Sequence, residues 1–438
     1  MKYHIITFGC QMNEADSSLM AALLEAAGWE ACARRDEADL VVVNTCSVRE
    51  KPEHKVDSLL GELRKGRDEH AGRLVAVTGC MAQREGEELA RRGRGVDIVL
   101  GTRSFHHLAE AVERARGGER PVVMLGMEED PSPARCAMTP GKSVLKAFVP
   151  IILGCTNFCS YCIVPYVRGG EKSRPAEEIR GEVESLVSRG AREVTLLGQN
   201  VLAYGRDLDS GGAFADLLGD LSEVEGLWRI RYTTCHPRDV RRELIEVMRD
   251  QPQVCEHIHL PIQAGTDKLL GEMNRGYTVE QYRRVVDELR AGVPGMAITT
   301  DMMVGFPGET ADDFESSLRL YETIRFDAAF MFAYSPRPGT KAAQREDQVP
   351  RNVRLERLHR LIEVQNRITV ERNREEIGNV VEVLVEGPAE KGEGLLVGRG
   401  RNNKLVVFPG SGELAGRLGS VRLTEAHLWG FRGEALQA

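Results

Sequence analysis

This chain of 438 residues has no excess of positive charge, no apolar run long enough to cross a bilayer and no leader-like start. Its formal net charge of −8 removes any general electrostatic pull toward nucleic acid, so RNA contact would need a local basic surface. The opening Met1-Lys2-Tyr3-His4-Ile5-Ile6-Thr7 passes directly into a strand-like pattern, without the apolar core and small-residue cleavage site of a secretory leader. With no spanning segment either, a cytoplasmic location is expected. In a reducing compartment ten cysteines have little use as disulfides, which points to metal or redox chemistry. Hydrophobic content of 42% and charged content of 28% are those of an ordinary globular protein, and the length implies about three domains.

A further absence lies inside the most informative stretch, Gly154-Cys155-Thr156-Asn157-Phe158-Cys159-Ser160-Tyr161-Cys162-Ile163-Val164-Pro165. Three thiols at these spacings can each reach a corner of an iron-sulfur cluster, but no fourth cysteine follows. A structural zinc site uses four closed ligands, and a bacterial ferredoxin run places its fourth cysteine just before a proline. Zinc, or a chance group of reduced thiols, is the alternative to an iron-sulfur site. A 4Fe-4S cluster held by three cysteines leaves one iron open to a substrate or cofactor.

Residues 1–128 alternate short apolar runs (Tyr3 to Phe8, Leu40 to Val43, Leu74 to Val77, Val96 to Leu100, Val122 to Leu125) with helical patterns. Continuous apolar strands between amphipathic helices predict a parallel sheet covered on both faces. Cys10, Cys46 and Cys80 each follow one of the first three major runs. Ligands of open parallel sheets collect beyond the carboxyl ends of the strands, so these thiols are expected to converge in one crevice and hold a second cluster. The alternative is that they are ordinary buried cysteines. Cys32 and Cys136 are read as unliganded.

The segment 129–144, rich in proline and charge, predicts a linker. From 145 to 350 the alternation resumes with six strands: Phe148 to Leu153, Glu193 to Leu197, Arg229 to Thr233, His257 to Pro261, Ala297 to Val304 and Ala328 to Phe332. Six βα units without a seventh and eighth predict an incomplete (βα)6 barrel with its functional loops at the C-terminal face. Gly198-Gln199-Asn200, Thr234-Cys235-His236-Pro237, Gln263-Ala264-Gly265 and Gly305-Phe306-Pro307-Gly308-Glu309 all fall at that face. Residues 351–376 predict a connecting helix with Leu355, Leu358, Ile362 and Gln365 on one face. Its arginines, Arg351, Arg354, Arg357, Arg360, Arg367, Arg372 and Arg374, form either a solvated face or an RNA contact. Glycine-separated β-rich runs over 377–438 predict a small OB-like β-barrel. Arg399, Arg401, Lys404 and Phe408 form its basic-aromatic cluster and are the RNA-binding candidates. A barrel that merely caps the central domain is the other reading.

The cysteine stretch, extended through Tyr166-Val167-Arg168-Gly169, resembles the radical S-adenosylmethionine (SAM) methylthiotransferases. So do Leu197-Gly198-Gln199-Asn200-Val201, His259-Leu260-Pro261-Ile262-Gln263, Met273-Asn274-Arg275-Gly276-Tyr277-Thr278, Val304-Gly305-Phe306-Pro307-Gly308-Glu309-Thr310 and Tyr334-Ser335-Pro336-Arg337-Pro338-Gly339-Thr340. The likeness runs nearly end to end, and Phe8-Gly9-Cys10-Gln11-Met12-Asn13 is most similar to the tRNA-modifying MiaB branch. It implies two 4Fe-4S clusters and SAM, one cluster on Cys155, Cys159 and Cys162 and an auxiliary one on Cys10, Cys46 and Cys80. It also implies that Tyr161 lies against the adenine of SAM and that Arg174, Gln199 and Gln263 are further SAM contacts. The C-terminal barrel resembles the RNA-binding TRAM domain. The implied reaction installs a methylthio group on carbon 2 of the isopentenylated adenosine beside the anticodon. An aromatic C–H bond there yields to no side-chain acid or base, so a cofactor-derived radical is needed. The implied partners are tRNA and an electron donor such as flavodoxin or ferredoxin, with no membrane, and the chain is expected to be a monomer. Methylthiotransfer to a ribosomal-protein aspartate or to threonylcarbamoyladenosine, and a non-catalytic RNA-binding electron carrier, are the rival readings. Ala264 and Cys235 stand where the family usually has serine, and Leu202 where it usually has asparagine.

Overall fold

The computed structural model describes residues 1–47, 50–65, 72–91, 95–127, 144–209 and 211–436. Residues 129–143 of the expected linker, with Cys136, lie outside the described residues. Among the described residues no helix is long and apolar enough to cross a membrane.

The first part of the chain builds one parallel sheet in which Lys2–Thr7 pairs with both Glu30–Ala31 and Leu40–Thr45. Leu74–Gly79, Ile98–Leu100 and Val122–Met124 continue the sheet outward in that order. Leu40–Thr45 and Leu74–Gly79 are buried along their whole length. Their unbroken apolar character follows from having helices on both faces. Leu40, Val42 and Ala76 enter one core, against Met20 and Leu24 of the helix Gln11–Ala26. Val41, Val43 and Val77 enter the other, against Leu59, Leu60 and Leu63. The two-residue edge strand Glu30–Ala31 is exposed and carries no apolar run in the sequence.

The central part forms the six expected parallel strands in two groups of three: Lys146–Pro150, Glu193–Leu197 and Arg229–Tyr232, then His257–His259, Ala297–Val304 and Ala328–Ala333. Between the groups, Ile230 N donates to Gln253 O and Cys255 N donates to Ile230 O, so the wall stays joined there. The run Phe148 to Leu153 is split in two, with Ile152–Leu153 leaving the barrel to pair with Lys172–Ser173.

The C-terminal strands Val380–Pro388, Leu395–Gly400, Leu405–Pro409, Leu418–His427 and Gly430–Ala435 close into a five-stranded barrel. Its core contains Phe408, only 1% exposed. That removes it from the RNA-binding candidates, because alternation along the strand turns it inward. The connecting helix spans Arg351–Glu375. It buries Leu361, Gln365, Ile368 and Thr369, while Leu355 is left at the surface. The helix lies along the neighbouring helix Ala311–Ile324, and four of its seven arginines meet carboxylates on or beside that helix. Arg357 meets Glu309 at 2.6 Å, Arg360 meets Glu315 at 2.7 Å, Arg367 pairs with Glu322, and Arg372 meets Asp327 at 3.0 Å. These four cations join the helix to the central domain, which weakens the reading of this face as an RNA contact.

Candidate active site

The loop after Ile152–Leu153 carries Cys155, Cys159 and Cys162, and its shape is set by contacts from distant backbone. Gly154 has φ of 75°, and a Cβ there would lie 2.0 Å from the Gly170 carbonyl oxygen. Only glycine fits such an approach in the left-handed region. Cys155 N donates to Gly169 O at 3.0 Å, Ser160 N to Met273 O at 3.0 Å, and Ala342 N to Ser160 O at 2.9 Å. Asn274 Nδ2 holds the carbonyls of Asn157 and Phe158, each at 3.1 Å. Arg275 is buried and donates to Cys159 Sγ at 3.4 Å, to Pro261 O at 3.1 Å and to Tyr277 Oη at 3.1 Å. Burial raises the Cys155 thiol and pushes Cys162 up to about 12, with the neighbouring Cys159 adding to both. Metal binding must therefore displace protons here.

Just after the strand Glu193–Leu197, Gln199 Oε1 is buried without a hydrogen-bond partner among the described residues. An orphaned buried acceptor at a strand end suits a bound ligand with amino or hydroxyl donors. Gln263 is buried with φ of 73°, and its N–H donates to Asp301 O at 2.9 Å. Tyr161 packs against the barrel core, and burial keeps its phenol well above the ordinary range. Arg174 is placed differently from the expectation. It is 0% exposed, with Nη1 on Pro150 O at 2.7 Å and on Glu182 at 2.7 Å, so it braces the barrel wall and offers no surface to a ligand. His236, which the sequence places only within a strand-end group, is buried beside Tyr277 with ring centroids 5.5 Å apart. Its Nδ1 accepts from Arg238 N at 3.3 Å, which puts the ring proton on Nε2, a buried atom with no partner among the described residues. Burial, then the Arg275 cation, lowers His236 to about 3, so the ring is neutral near pH 7. Ala264 and Cys235 are both buried in the barrel core, so the departures from serine alter packing there.

The second group of cysteines is assembled by sheet register. Thr45 pairs with Gly79 across adjacent strands, so Cys46 and Cys80 emerge side by side. Phe8 N donates to Asn44 O at 2.8 Å and brings Cys10 to the same end. A Cβ on Gly9 would stand 3.0 Å from Cys46 Cβ, and one on Gly79 would stand 2.3 Å from Thr45 O. Asn13, Asn44 and Thr45 form the polar layer beneath: Asn13 Nδ2 donates to Asn44 Oδ1 at 2.8 Å and to Thr45 O at 3.0 Å, and Asn44 Nδ2 donates to Asn13 O at 2.8 Å. Cys10 occupies the N-cap position of the helix Gln11–Ala26, and Cys80 begins the helical stretch Cys80–Arg91, which is kinked at Gly86. The positive ends of two helices thus favour thiolates and suit an iron-sulfur cluster. Burial raises the Cys80 thiol while Arg168 draws it down. Cys32 is elsewhere, its thiol donating to Tyr3 O at 3.3 Å. Among the described residues no three His, Cys, Asp or Glu side chains are already disposed around a single ion. A cluster, by contrast, takes each thiolate on a different iron.

The basic group on the C-terminal barrel turns toward the central domain. Arg401 forms a two-pronged contact with Glu256, at 2.7 and 2.8 Å, and donates to Val254 O at 2.8 Å. Lys404 lies between Glu376 at 2.5 Å and Asp327 at 3.1 Å. From the other side, Arg229 and Arg231 donate to the carbonyls of Arg399 at 2.7 Å, Gly400 at 2.8 Å and Arg401 at 2.8 Å. Arg401 and Lys404 therefore seat the barrel on the central domain rather than offering their charge to RNA. Arg399 keeps 39% of its side chain exposed.

Three family models match along the chain: Uncharacterized protein family UPF0004 over residues 2–101, the Radical SAM superfamily over 149–321 and the TRAM domain over 374–436. A tRNA-2-methylthio-N(6)-dimethylallyladenosine synthase of Moorella thermoacetica is 48% identical, over 99% of this chain and 98% of the relative. The protein of the same name from Carboxydothermus hydrogenoformans is 46% identical, over 98% of each. Among solved structures, the radical S-adenosylmethionine methyltransferase TsrM from Kitasatospora setae, with cobalamin and a [4Fe-4S] cluster bound, aligns with a TM-score of 0.56. It is 14% identical over 90% of this chain and 80% of that chain, which is a likeness of fold. With relatives of this identity covering nearly every residue, the chain belongs to the family of tRNA-2-methylthio-N(6)-dimethylallyladenosine synthases.

Proposed function

We propose that this chain is a tRNA methylthiotransferase, converting N6-isopentenyladenosine beside the anticodon to its 2-methylthio derivative with two 4Fe-4S clusters and SAM. The observation that carries this reading is the packing of the segment after Cys162 against a cysteine of the other group: Ile163 and Val167 lie against Cys80, and Arg168 reaches its sulfur. Cys155, Cys159 and Cys162 hold the cluster that binds SAM, and Cys10, Cys46 and Cys80 hold the auxiliary cluster. When bound, these groups supply radical chemistry at an unactivated carbon and the sulfur to be inserted.

The chain's own residues bind and orient. Asn274, Gly169 and Met273 fix the loop, whose three cysteines would hold a 4Fe-4S cluster and leave its fourth iron without a protein ligand. Gln199 Oε1 and the Nε2–H of neutral His236 provide an acceptor and a donor for SAM or the adenosine, with Tyr161 and Gln263 as further candidate contacts. Residues 1–128, 145–350 and 377–438 are assigned as the auxiliary-cluster, radical-SAM and TRAM domains, with 129–144 and 351–376 between them. The chain acts as a monomer in the cytoplasm on tRNA, with a flavodoxin- or ferredoxin-type electron donor. The test is mass spectrometry of nucleosides from bulk tRNA with and without the gene. Loss of methylthio-isopentenyladenosine with accumulation of isopentenyladenosine is expected. An unchanged profile rejects the tRNA substrate and directs attention to ribosomal proteins.

A further inference from the structure

Arg168 ends the short helix Val164–Arg168, six residues beyond Cys162, and its side chain leaves the central domain altogether. Its Nε donates to Cys80 Sγ at 3.3 Å and its Nη2 to Asp16 Oδ2 at 3.1 Å. All three residues are buried: Arg168 is 5% exposed, Cys80 2% and Asp16 2%. The backbone around Arg168 is gripped from the other side, with Arg103 Nε donating to Arg168 O at 3.0 Å and Arg103 Nη2 to Gly170 O at 2.8 Å. The segment from Cys162 to Arg168 thus carries a cysteine of one three-thiol group at its start and grips a cysteine of the other at its end.

A guanidinium withdrawn from water needs full compensation by acceptors. Asp16 supplies one negative charge, and a neutral thiol is a poor second acceptor for the Nε–H. A metal-bound thiolate is a good one, since charge-assisted hydrogen bonds are about twice as strong as neutral ones. Donors to ligand sulfurs also stabilise the more negative, reduced form of an iron-sulfur cluster and so raise its reduction potential. Arg275 makes a related contact with Cys159 at 3.4 Å, but its other acceptors, Pro261 O and Tyr277 Oη, both belong to the central domain. Arg168 alone of this pair crosses between domains.

We infer that Arg168 is a positioning residue for the auxiliary cluster: it holds the Cys80 ligand against the radical-SAM domain and sets the reduction potential of that cluster, with Asp16 as its counter-charge. This rests on the assignment of Cys10, Cys46 and Cys80 as the auxiliary ligands.

The test is an anaerobic redox titration of the reconstituted full-length chain, followed by electron paramagnetic resonance. The auxiliary signal is identified as the one that survives in Cys159→Ala. Arg168→Gln is expected to lower the auxiliary midpoint while leaving the radical-SAM midpoint and the yield of SAM cleavage in place, and Arg168→Lys to restore part of the shift. Asp16→Asn, which removes a negative charge from the same group, is expected to move the midpoint the opposite way. Equal auxiliary midpoints and g-values in wild type, Arg168→Gln and Asp16→Asn, all fully loaded with iron, overturn the inference. If Arg168→Gln does not retain its cluster, the Asp16→Asn midpoint decides alone: a rise supports the role and no change rejects it. Retention of the auxiliary signal in Cys80→Ala would instead reject the ligand assignment itself.

Discussion

Cys155, Cys159 and Cys162 lie on one loop, whereas Cys10, Cys46 and Cys80 come from the ends of three different strands. In the first group proximity is guaranteed by the covalent chain, and what must be added is rigidity. Distant groups supply it: Met273 O, the Asn274 amide and Gly169 O all act on the loop backbone. In the second group rigidity comes with the sheet, and what must be added is proximity. The pairing of Thr45 with Gly79 supplies that. A three-thiol site can thus be made by bracing a local motif from outside or by letting strand register gather remote residues. The two routes are expected to fail differently.

The largest expected effect separates the two jobs. Cys159→Ala should lose SAM cleavage, measured as 5′-deoxyadenosine release, by more than the roughly 100-fold typical of losing an outer partner of a metal ligand. Cys46→Ala should keep that release and lose methylthiolated product. Equal loss of SAM cleavage in both, with the remaining cluster spectroscopically intact, would break the comparison.

A smaller effect sharpens it at the glycines. Gly154→Ala and Gly79→Ala both place a side chain at positive φ, 75° and 93°, and against a carbonyl oxygen, 2.0 Å and 2.3 Å from the added carbon. The left-handed conformation alone costs about 1–2 kcal/mol. Gly154→Ala should deplete the radical-SAM cluster selectively and Gly79→Ala the auxiliary one, as read by iron content and electron paramagnetic resonance. Loss of both clusters from either variant would mean that the sites are not independently built.

The smallest effect is on acid stability, and it belongs to the barrel. Burial, then Arg231, lowers His257 to about 3 in the folded chain, against an ordinary value of about 6.5. The unfolded chain therefore binds the proton first as pH falls, so stability is complete above about 6.5 and declines from there toward 3. At pH 5.5 the loss is on the order of 1 kcal/mol for this histidine, and His236 acts in the same direction. Melting of the central domain should move down between pH 7.5 and 5.5, and His257→Gln should flatten that slope. A slope that is unchanged in the variant assigns the acid sensitivity to other groups.

The strands that carry the cysteines were legible because fully buried parallel strands read as unbroken apolar runs, and Leu40–Thr45 and Leu74–Gly79 are of that kind. The glycines beside the thiols were legible for a related reason, since turns at strand ends demand them. Arg168 and Arg275 were present in the motifs but carried no assigned role. Their sulfur partners lie 88 and 116 positions away, and nothing local distinguishes them from surface arginines. The same blindness acted in reverse at Arg174, Arg401, Lys404 and Phe408, where a basic or aromatic residue in a loop or strand suggested a ligand. Burial and ion pairing show instead a brace, two domain contacts and a core side chain.

What the sequence alone determined is therefore the chemistry available: three local thiols without a fourth, three more at strand ends, and an α/β frame followed by a small barrel. These follow from residue type and from periodicity, both of which are properties of neighbours along the chain. Only the tertiary structure decided which cations face a cysteine sulfur and which face a carboxylate. That choice depends on which segments become adjacent and lose their water together, and desolvation at such contacts is a property of the packed molecule rather than of any one stretch of it.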